Sequence, residues 1–295
     1  MMLPECRPPA SLLLATDLSA RCDRALDRAL ILADDWKAEL IVFNAIDLPA
    51  MPDQVLDWAH GGGEPGTQAE RLREARHQLD RAIRGRKVSA AIQQMTSGED
   101  PSDLIRKVAD GAQAGMVVTG SGSSESFGRF LLGSTVTQLA KSLSQPLLVV
   151  RERPYGAYQR IVVATDFSDA SRVALETASR CFQGQPLILY HARQAPLSAL
   201  GEGAEGLTAA HNECTDFLAG CGQPRRPPVQ PVIERGPVHT LLASYVRRNE
   251  IDLVVMGSRG RSGLLGMLLG STAAQLLEWL PCDTLIVPGV GAPKT

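Results

Sequence analysis

Residues 253–287 read LVVMGSRGRSGLLGMLLGSTAAQLLEWLPCDTLIV, and this stretch decides the fold. The apolar run Leu253–Met256 is short and rich in β-branched residues, which predicts a buried strand. A glycine-rich loop follows, and a helical pattern then runs from Ala273 to Leu280 and is closed by Pro281. Glycine permits close backbone approach and positive φ, and a helix N-terminus offers unpaired amides to an anion. The stretch therefore predicts a phosphate-binding loop in an α/β protein.

The spacing of the loop glycines narrows the type of site. Two residues separate Gly257 from Gly260, nine more precede Gly270, and Ser271 follows it. No lysine follows the last glycine, so this is not a Walker A loop, and the spacing differs from the dinucleotide-binding fingerprint. The pattern resembles the ATP-binding signature of the universal stress protein family at all four positions. The alternative is a plain glycine-rich connection that binds nothing.

Length and charge limit the classes of protein that this chain can belong to. Its 295 residues suggest two domains, and a net charge of −2 leaves no broad basic face for nucleic acid or a membrane surface. We expect neither a signal peptide nor a membrane span, and hence a cytoplasmic protein. The six cysteines form no C-x-x-C pair and the five histidines lack ligand spacing, so no metal site is expected.

An internal repeat organises the chain. The segment LLLATDLS at 12–19 recurs as IVVATDFS at 161–168, and LLGST at 131–135 recurs at 268–272. The repeat is about half of the chain, so each copy is a whole domain and not a short solenoid unit. Strands alternate with helices in both copies, which predicts a mostly parallel sheet covered on both faces.

The repeat divides the chain into residues 1–152 and 153–295, and the segment 151–159 is a short linker with one proline and one glycine. The family resemblance implies two tandem, doubly wound, five-stranded domains with strand order 3-2-1-4-5. It also implies that they pair through their fifth strands, Leu147–Val150 and Thr284–Val287, whose apolar edges need cover. The chain is thus expected to be an intrachain pseudo-dimer, and further association into a homodimer stays open.

Nucleotide contacts in the second domain are implied by the resemblance and by the position of ligands at the carboxyl ends of strands. Asp166 would lie beside the nucleoside sugar, although it could instead cap the following helix. The main chain of Ala192 would contact the adenine ring. Arginines of the loop would neutralise phosphate, or simply lie in solvent. The expected site comprises Ala164, Thr165, Asp166, Ala192, Met256, Gly257, Arg259, Gly260, Arg261, Gly270, Ser271 and Thr272.

The matching loop of the first domain departs from this pattern. Ser123 stands where the second domain has Gly260, Glu125 enters the loop, and Arg129 is its remaining arginine. A Cβ should hinder close approach and a carboxylate should repel phosphate, although Gly122 could partly compensate. We expect a weaker site here, formed by Ala15, Asp17, Ala45, Thr119, Gly120, Gly133, Ser134 and Thr135.

The motifs favour binding over catalysis. The chain has no Walker lysine, no Ser-Gly-Gly or His-x-x-His adenylation motif, and no paired carboxylates for a catalytic metal pair. The first hypothesis is an ATP-binding stress-response protein with little or no turnover. A magnesium ion could accompany the triphosphate, but no residue pattern requires it. The alternatives are an interaction scaffold with vestigial nucleotide sites and a slow ATPase.

Overall fold

The computed structural model describes residues 7–18, 22–47, 68–85, 89–95, 99–121, 125–126, 129–130, 132–193, 203–221, 228–260 and 269–289. Strands and helices alternate through both halves of the chain. The helices are α1 Asp23–Trp36, α2 Gln68–Ala82, α3 Pro101–Gly111, α4 Ser134–Ser142, α5 Asp169–Cys181, α6 Gly203–Ala219, α7 Val238–Arg248 and α8 Ser271–Trp279. The strands are β1 Ser11–Ala15, β2 Glu39–Asp47, β3 Ser89–Met95, β4 Met116–Gly120, β5 Glu125–Ser126, β6 Arg129–Phe130, β7 Leu147–Val150, β8 Ile161–Ala164, β9 Leu187–Arg193, β10 Gln230–Arg235, β11 Leu253–Gly257 and β12 Asp283–Val287.

One continuous sheet runs through both domains. Its order is β10-β9-β8-β11-β12-β7-β4-β1-β2-β3, so each half has the order 3-2-1-4-5. Pairing is parallel within each half, whereas β12 and β7 pair antiparallel, with Thr284 opposite Val149 and Leu285 opposite Leu148. The predicted fold class and the predicted pairing of the fifth strands are both confirmed.

Helices on both faces of the sheet divide the core into two layers. Leu12 and Leu14 pack with Leu32 of α1, while Leu13 packs on the opposite face with Leu104 of α3. This alternation follows from the two-residue period of a strand, and covered faces explain why the strands are apolar at successive positions. Each layer contains residues of both domains, so the two hydrophobic cores are continuous across the central strand pair.

Some local boundaries differ from the expectations. Helix α8 begins at Ser271, two residues before the predicted start at Ala273. In the first domain, the loop after β4 contains the short antiparallel strands β5 and β6, which the sequence pattern did not predict, and β6 lies against α8 of the second domain. Within the described residues, α1 begins after Cys22 without a side-chain cap, whereas the hydroxyl of Ser168 caps α5 by accepting from the Ser171 amide at 3.3 Å.

A buried carboxylate joins the second domain to the linker and to the first domain. Asp283, at the start of β12, is 1 % exposed. Its Oδ1 accepts hydrogen bonds from the amides of Arg151 and Glu152, at 2.8 and 3.2 Å. Its Oδ2 accepts from the Tyr158 hydroxyl at 2.6 Å and lies 3.4 Å from Nε of Arg28 on α1. Both oxygens of this carboxylate are therefore used to hold the domains together.

Arginines of α1 fasten the linker from the other side. Nη1 of Arg24 donates to the carbonyl of Arg151, and Nη1 of Arg28 donates to the carbonyl of Gly156, both at 2.7 Å. The Arg28 guanidinium also lies 3.8 Å from the centre of the Tyr158 ring, close enough for a cation–π contact. The linker is thus held along its length, which fits two docked domains.

Replacing Asp283 by Asn should destabilise the protein strongly. An amide keeps one acceptor oxygen but turns an NH₂ group toward the donors that the second oxygen now serves, and it leaves the buried Arg28 without its counter-charge. We expect a loss of about 3–5 kcal/mol in the free energy of unfolding, measured by urea denaturation. The control is Asp103→Asn, which removes the partly exposed Asp103–Arg106 pair and should cost less than about 1 kcal/mol. Equal losses in the two variants would contradict the assigned role of Asp283.

Candidate functional site

The carboxyl ends of β8 and β11 lie side by side and bring two sequence motifs together. The two strands pair in parallel, with Val255 opposite Val163. Asp166 follows β8 and Gly260 follows β11. A Cβ placed on Gly260 would lie 2.7 Å from Oδ2 of Asp166. The acidic turn and the glycine loop are therefore in contact, as expected from the strand order.

The turn after β8 holds a non-glycine residue in the left-handed region. Phe167 has a φ of 62°, and its amide donates to Oγ1 of Thr165 at 2.9 Å. The Thr165 hydroxyl in turn donates to Oγ of Ser171 at 2.9 Å, which ties the turn to helix α5. Leu18 takes the same conformation in the first domain, with a φ of 60°. Strained residues of this kind are found at binding sites, and sequence reasoning missed them although the repeated Thr-Asp-x-Ser motif marked the turn.

Asp166 combines a structural contact with its position at the loop. Its Oδ1 accepts from the Ser168 amide at 3.1 Å, and Ser168 is the residue that caps α5. Asp166 therefore supports the cap residue without capping the helix itself. Its Oδ2 faces Gly260, which leaves the carboxylate at the border between the turn and the glycine loop.

Protein contacts account for two of the loop glycines. A Cβ on Gly257 would lie 3.1 Å from the backbone of Ala170 at the start of α5, and a Cβ on Gly260 would meet the Asp166 carboxylate. Gly270 has a φ of −60°, which any residue can adopt, and neither Gly257 nor Gly260 has a positive φ. These three glycines therefore do not use the positive φ that glycine permits. Packing against the backbone of helix α5 favours glycine at position 257, whereas the close contact at Gly260 is with the end of a side chain that can shift.

The start of helix α8 is clamped over the loop. The Gly270 amide donates to the carbonyl of Ser258 at 2.8 Å, and the Gly270 carbonyl accepts from Ala274 at 2.9 Å. Within the described part of the chain, the amides of Ser271 and Thr272 have no hydrogen-bond partner, and both side chains are exposed. The Gly270 amide is thus used within the protein, whereas the amides of Ser271 and Thr272 stay available to an anion.

Strand β9 provides a main-chain edge beside the loop. Strand β8 ends at Ala164, opposite Tyr190, whereas β9 continues to Arg193. Ala192 therefore lies beyond the last residue pair between β8 and β9. His191 is held by the turn, because its Nδ1 donates to the Thr165 carbonyl at 2.9 Å. Tyr190 lies beneath, where burial and its hydrogen bond to Glu234 raise the pKa of the phenol.

The first domain places Ala15, Asp17, Thr119 and Gly120 at the matching strand ends. Asn44 takes the place of His191 and donates to the Thr16 carbonyl at 2.7 Å. The remaining expected residues lie on the flanking elements: Ala45 on β2, Gly133 at the N-cap of α4, and Ser134 and Thr135 in its first turn.

The helix start differs between the domains. Gly133 has nearly the same backbone angles as Gly270, with φ −60° and ψ 149°. A Cβ on Gly133 would meet no atom within 4 Å, whereas a Cβ on Gly270 would lie 3.4 Å from the Ser258 carbonyl oxygen. Among the described residues, therefore, only the second domain closes its helix start onto the loop. Gly122, Ser123 and Arg261 lie outside the described residues.

The described residues also bear on metal and membrane binding. They contain no group of three His, Cys, Asp or Glu side chains that could hold a metal ion. None of the described helices combines the length and the apolar composition that a membrane crossing requires. Arg259, near the start of the glycine loop, is partly exposed and is the described cation nearest in sequence to Gly260. The chemistry that this site offers is hydrogen bonding by amides, hydroxyls and one carboxylate.

The fold and the site define a tandem α/β protein with a glycine loop at the carboxyl edge of each half. The model of the universal stress protein family matches residues 10–151 and 157–288, and the chain belongs to this family. A universal stress protein of Mycolicibacterium smegmatis is 29% identical over 298 residues, covering 94% of this chain and 96% of that protein. Universal stress protein Rv2624c of Mycobacterium tuberculosis is 26% identical over 88% of this chain and 92% of its own.

A solved structure shows the same architecture. A universal stress protein of Archaeoglobus fulgidus superposes with a TM-score of 0.67 at 22% identity, covering 95% of this chain and 98% of that chain. At this identity the likeness concerns the fold. It extends over both domains, so the tandem arrangement is shared with a solved protein of this family.

Replacing Thr165 by Val should loosen the turn after β8. The substitution removes the acceptor of the Phe167 amide and the donor to Ser171, while the size of the buried side chain is kept. We expect a loss of about 1–3 kcal/mol in the free energy of unfolding, measured by chemical denaturation. Thr215→Val is the control, because this exposed hydroxyl donates back to the His211 carbonyl within helix α6, and the change should stay within about 0.5 kcal/mol. An unchanged stability in the Thr165 variant would rule out the hydroxyl as the support of the turn.

Proposed function

We propose that this universal stress protein binds ATP at the carboxyl edge of its second domain, with little or no turnover. The observation that carries the proposal is the clamp between the Gly270 amide and the Ser258 carbonyl. The clamp places the first turn of α8 over the loop, with the Ser271 and Thr272 amides beyond it. Asp166 lies against the same loop at Gly260. An anionic group and a hydroxyl-bearing group would thus find complementary partners within one site.

The roles follow from the chemistry of each group. Amides in the first turn of α8 favour phosphate because they are unpaired donors at the positive end of the helix dipole. Arg259, and Arg261 by its place in the sequence, would add positive charge. Asp166 would accept hydrogen bonds from the ribose hydroxyls, and the main chain of Ala192 would bind the edge of the adenine ring. Ala164, Thr165, Met256 and Gly257 would form the floor at the strand ends.

We further propose that the first domain binds nucleotide more weakly. Its helix start is not closed onto the loop in the described residues, since a Cβ on Gly133 would meet no neighbour within 4 Å. Its loop carries Glu125 and has serine at 123, and a carboxylate near phosphate is unfavourable. The scaffold hypothesis, with a vestigial nucleotide site, therefore has its best support in this domain.

Hydrolysis is not part of the proposal, because the described site contains no pair of carboxylates for metals and no lysine aimed at a phosphate. His191, the histidine at this edge, uses Nδ1 to hold the Thr165 carbonyl. A magnesium ion bound with the triphosphate would be held mainly by the nucleotide. A slow ATPase stays the alternative, and a single-turnover assay distinguishes it from a binder. A cytoplasmic location and a homodimer stay predictions.

Replacing Gly270 by Val should remove ATP binding without unfolding the protein. The backbone at Gly270 is accessible to any residue, so the fold should tolerate the change. A Cβ here would make only an ordinary contact with the Ser258 carbonyl oxygen, at 3.4 Å, but the two γ-methyl groups of valine would take up space beside the loop that a phosphate group needs. We expect the ATP affinity, measured by calorimetry, to fall about tenfold or more, with a thermal midpoint within a few degrees of the parent. Gly133→Val is the matched change in the first domain and should leave the tighter site intact. A folded Gly270→Val variant with the ATP affinity of the parent would contradict phosphate binding at the start of α8.

The two acidic turns provide a test of the asymmetry between the domains. Asp166→Asn removes a charge-assisted hydrogen bond, so the tighter of the two affinities should fall about tenfold or more. Asp17→Asn makes the same change in the first domain and should leave that affinity unaltered. Isothermal titration of ATP into both variants separates the two outcomes. The reverse result would assign the tighter site to the first domain.

A further inference from the structure

The first domain contains a cavity that the nucleotide hypothesis does not use. It has a volume of about 350 Å³ and lies between strands β1 and β2 and the helices α1 and α2. Its inner wall is apolar, formed by Leu14, Val42 and Leu79, each at most 2 % exposed. Its mouth is polar, with Asp23 on α1 and Arg81 on α2. This volume falls within the usual range for small-molecule sites, which are mostly apolar with a few polar groups.

The second copy of the repeat shows what fits at this place. Phe167 matches Leu18 of the cavity wall, and its ring lies 5.6 Å from the ring of Phe217 on α6. Arg172 matches Asp23, and its guanidinium lies 5.1 Å from the centre of the Phe217 ring. The second domain therefore fills the corresponding position with its own aromatic rings and covers them with a cation. The first domain has smaller residues there.

The cavity lies on a different face of the sheet from the helix that follows the glycine loop. Leu14 and Leu79 belong to the core layer beneath α1 and α2. Val136 and Leu139 of α4, the helix that follows the glycine loop, belong to the opposite layer. Gly120 and Gly133, the described glycines of that loop, are not among the lining residues. A ligand in the cavity would therefore lie apart from the phosphate-binding helix.

We propose that the first domain binds a small aromatic ligand of one or two rings in this cavity, with a polar substituent at the mouth. The ring would take the place that Phe167 occupies in the second domain, against the apolar wall. The polar substituent would meet Asp23 and Arg81, which supply both an acceptor and a donor. Binding would be non-covalent, because burial raises the pKa of the lining Cys22 thiol and keeps it neutral.

The test uses the full chain and the fluorescent dye naphthalene-1-sulfonate, which has two fused aromatic rings and one polar group. Leu18→Phe copies the second domain into the first. The backbone accepts this residue, since Phe167 has a φ of 62° and Leu18 one of 60°. We expect the variant to bind the dye about tenfold more weakly or worse, because the new ring occupies the cavity. Its thermal midpoint should be equal or higher, since filling a cavity stabilises a fold. ATP affinity at the second domain should not change.

The mouth of the cavity has its own matched pair. Arg81→Ala should weaken dye binding about two- to fivefold, because an exposed charge contact to the sulfonate is lost. Arg84→Ala removes an exposed arginine three residues away, which does not line the cavity, and should have no effect.

Methyl NMR of the parent protein locates the dye without relying on any variant. The methyl signals of Leu14, Leu18 and Val42 should shift on titration, and this readout decides the matter if Leu18→Phe fails to fold. Methyl shifts confined to other parts of the molecule would overturn the proposal, and so would an unchanged dye affinity in a folded Leu18→Phe variant. Release of one dye molecule for each ATP molecule bound would also overturn it. The last of these would make the cavity a part of the nucleotide site.

Discussion

The antiparallel pairing of β7 with β12 is the contact on which the whole molecule depends. Each strand is an apolar edge of a five-stranded sheet, and the two edges cover each other by completing one ten-stranded sheet. The pairing also creates a buried seam, where any polar group must find partners inside the protein. Asp283 lies at this seam and uses both oxygens to bind the linker amides, Tyr158 and Arg28. The tandem repeat thereby becomes one folding unit with shared core layers.

The same pairing fixes where the two candidate sites lie. Strands are parallel within each half, so an antiparallel seam places the two carboxyl edges at opposite ends of the sheet. Helix α8 begins at the carboxyl edge of the second half and runs back to the amino edge of that half. This amino edge is on the same side of the sheet as the carboxyl edge of the first half, where the loop of the first domain lies. The contact between β6 and α8 follows from this geometry. The loop of one domain thus lies against the helix proposed to bind phosphate in the other, although the two sites are separate.

The sequence predicted the architecture because its signals are local or repeated. Short apolar runs such as Leu253–Met256 are enough to locate central strands, and the repeated Thr-Asp-x-Ser motif locates the turn after the first strand of each half. The reason for each glycine could not be predicted, because it depends on atoms far away in the chain. Gly257 lies close to the backbone of Ala170 and Gly260 lies close to the Asp166 carboxylate, whereas the sequence suggested only conformational freedom and access for a ligand. Helix α8 begins before the apolar pattern does because its first two residues, Ser271 and Thr272, are polar and exposed.

The repeat within one chain separates what the fold requires from what each site requires. Positions that hold the sheet are similar in the two halves, as in the left-handed residues Leu18 and Phe167, because both backbones must make the same turn. The side chains that pack next to that turn can differ between the two halves, because the backbone of the turn is the same in both. An aromatic ring fills the space in one half and a smaller leucine leaves a cavity in the other. Likewise, among the residues that the structure describes, the helix start is closed onto the loop at Gly270 but not at Gly133. A shared sheet is therefore compatible with the two separate sites that we propose, one for nucleotide in the second domain and one for an aromatic ligand in the first.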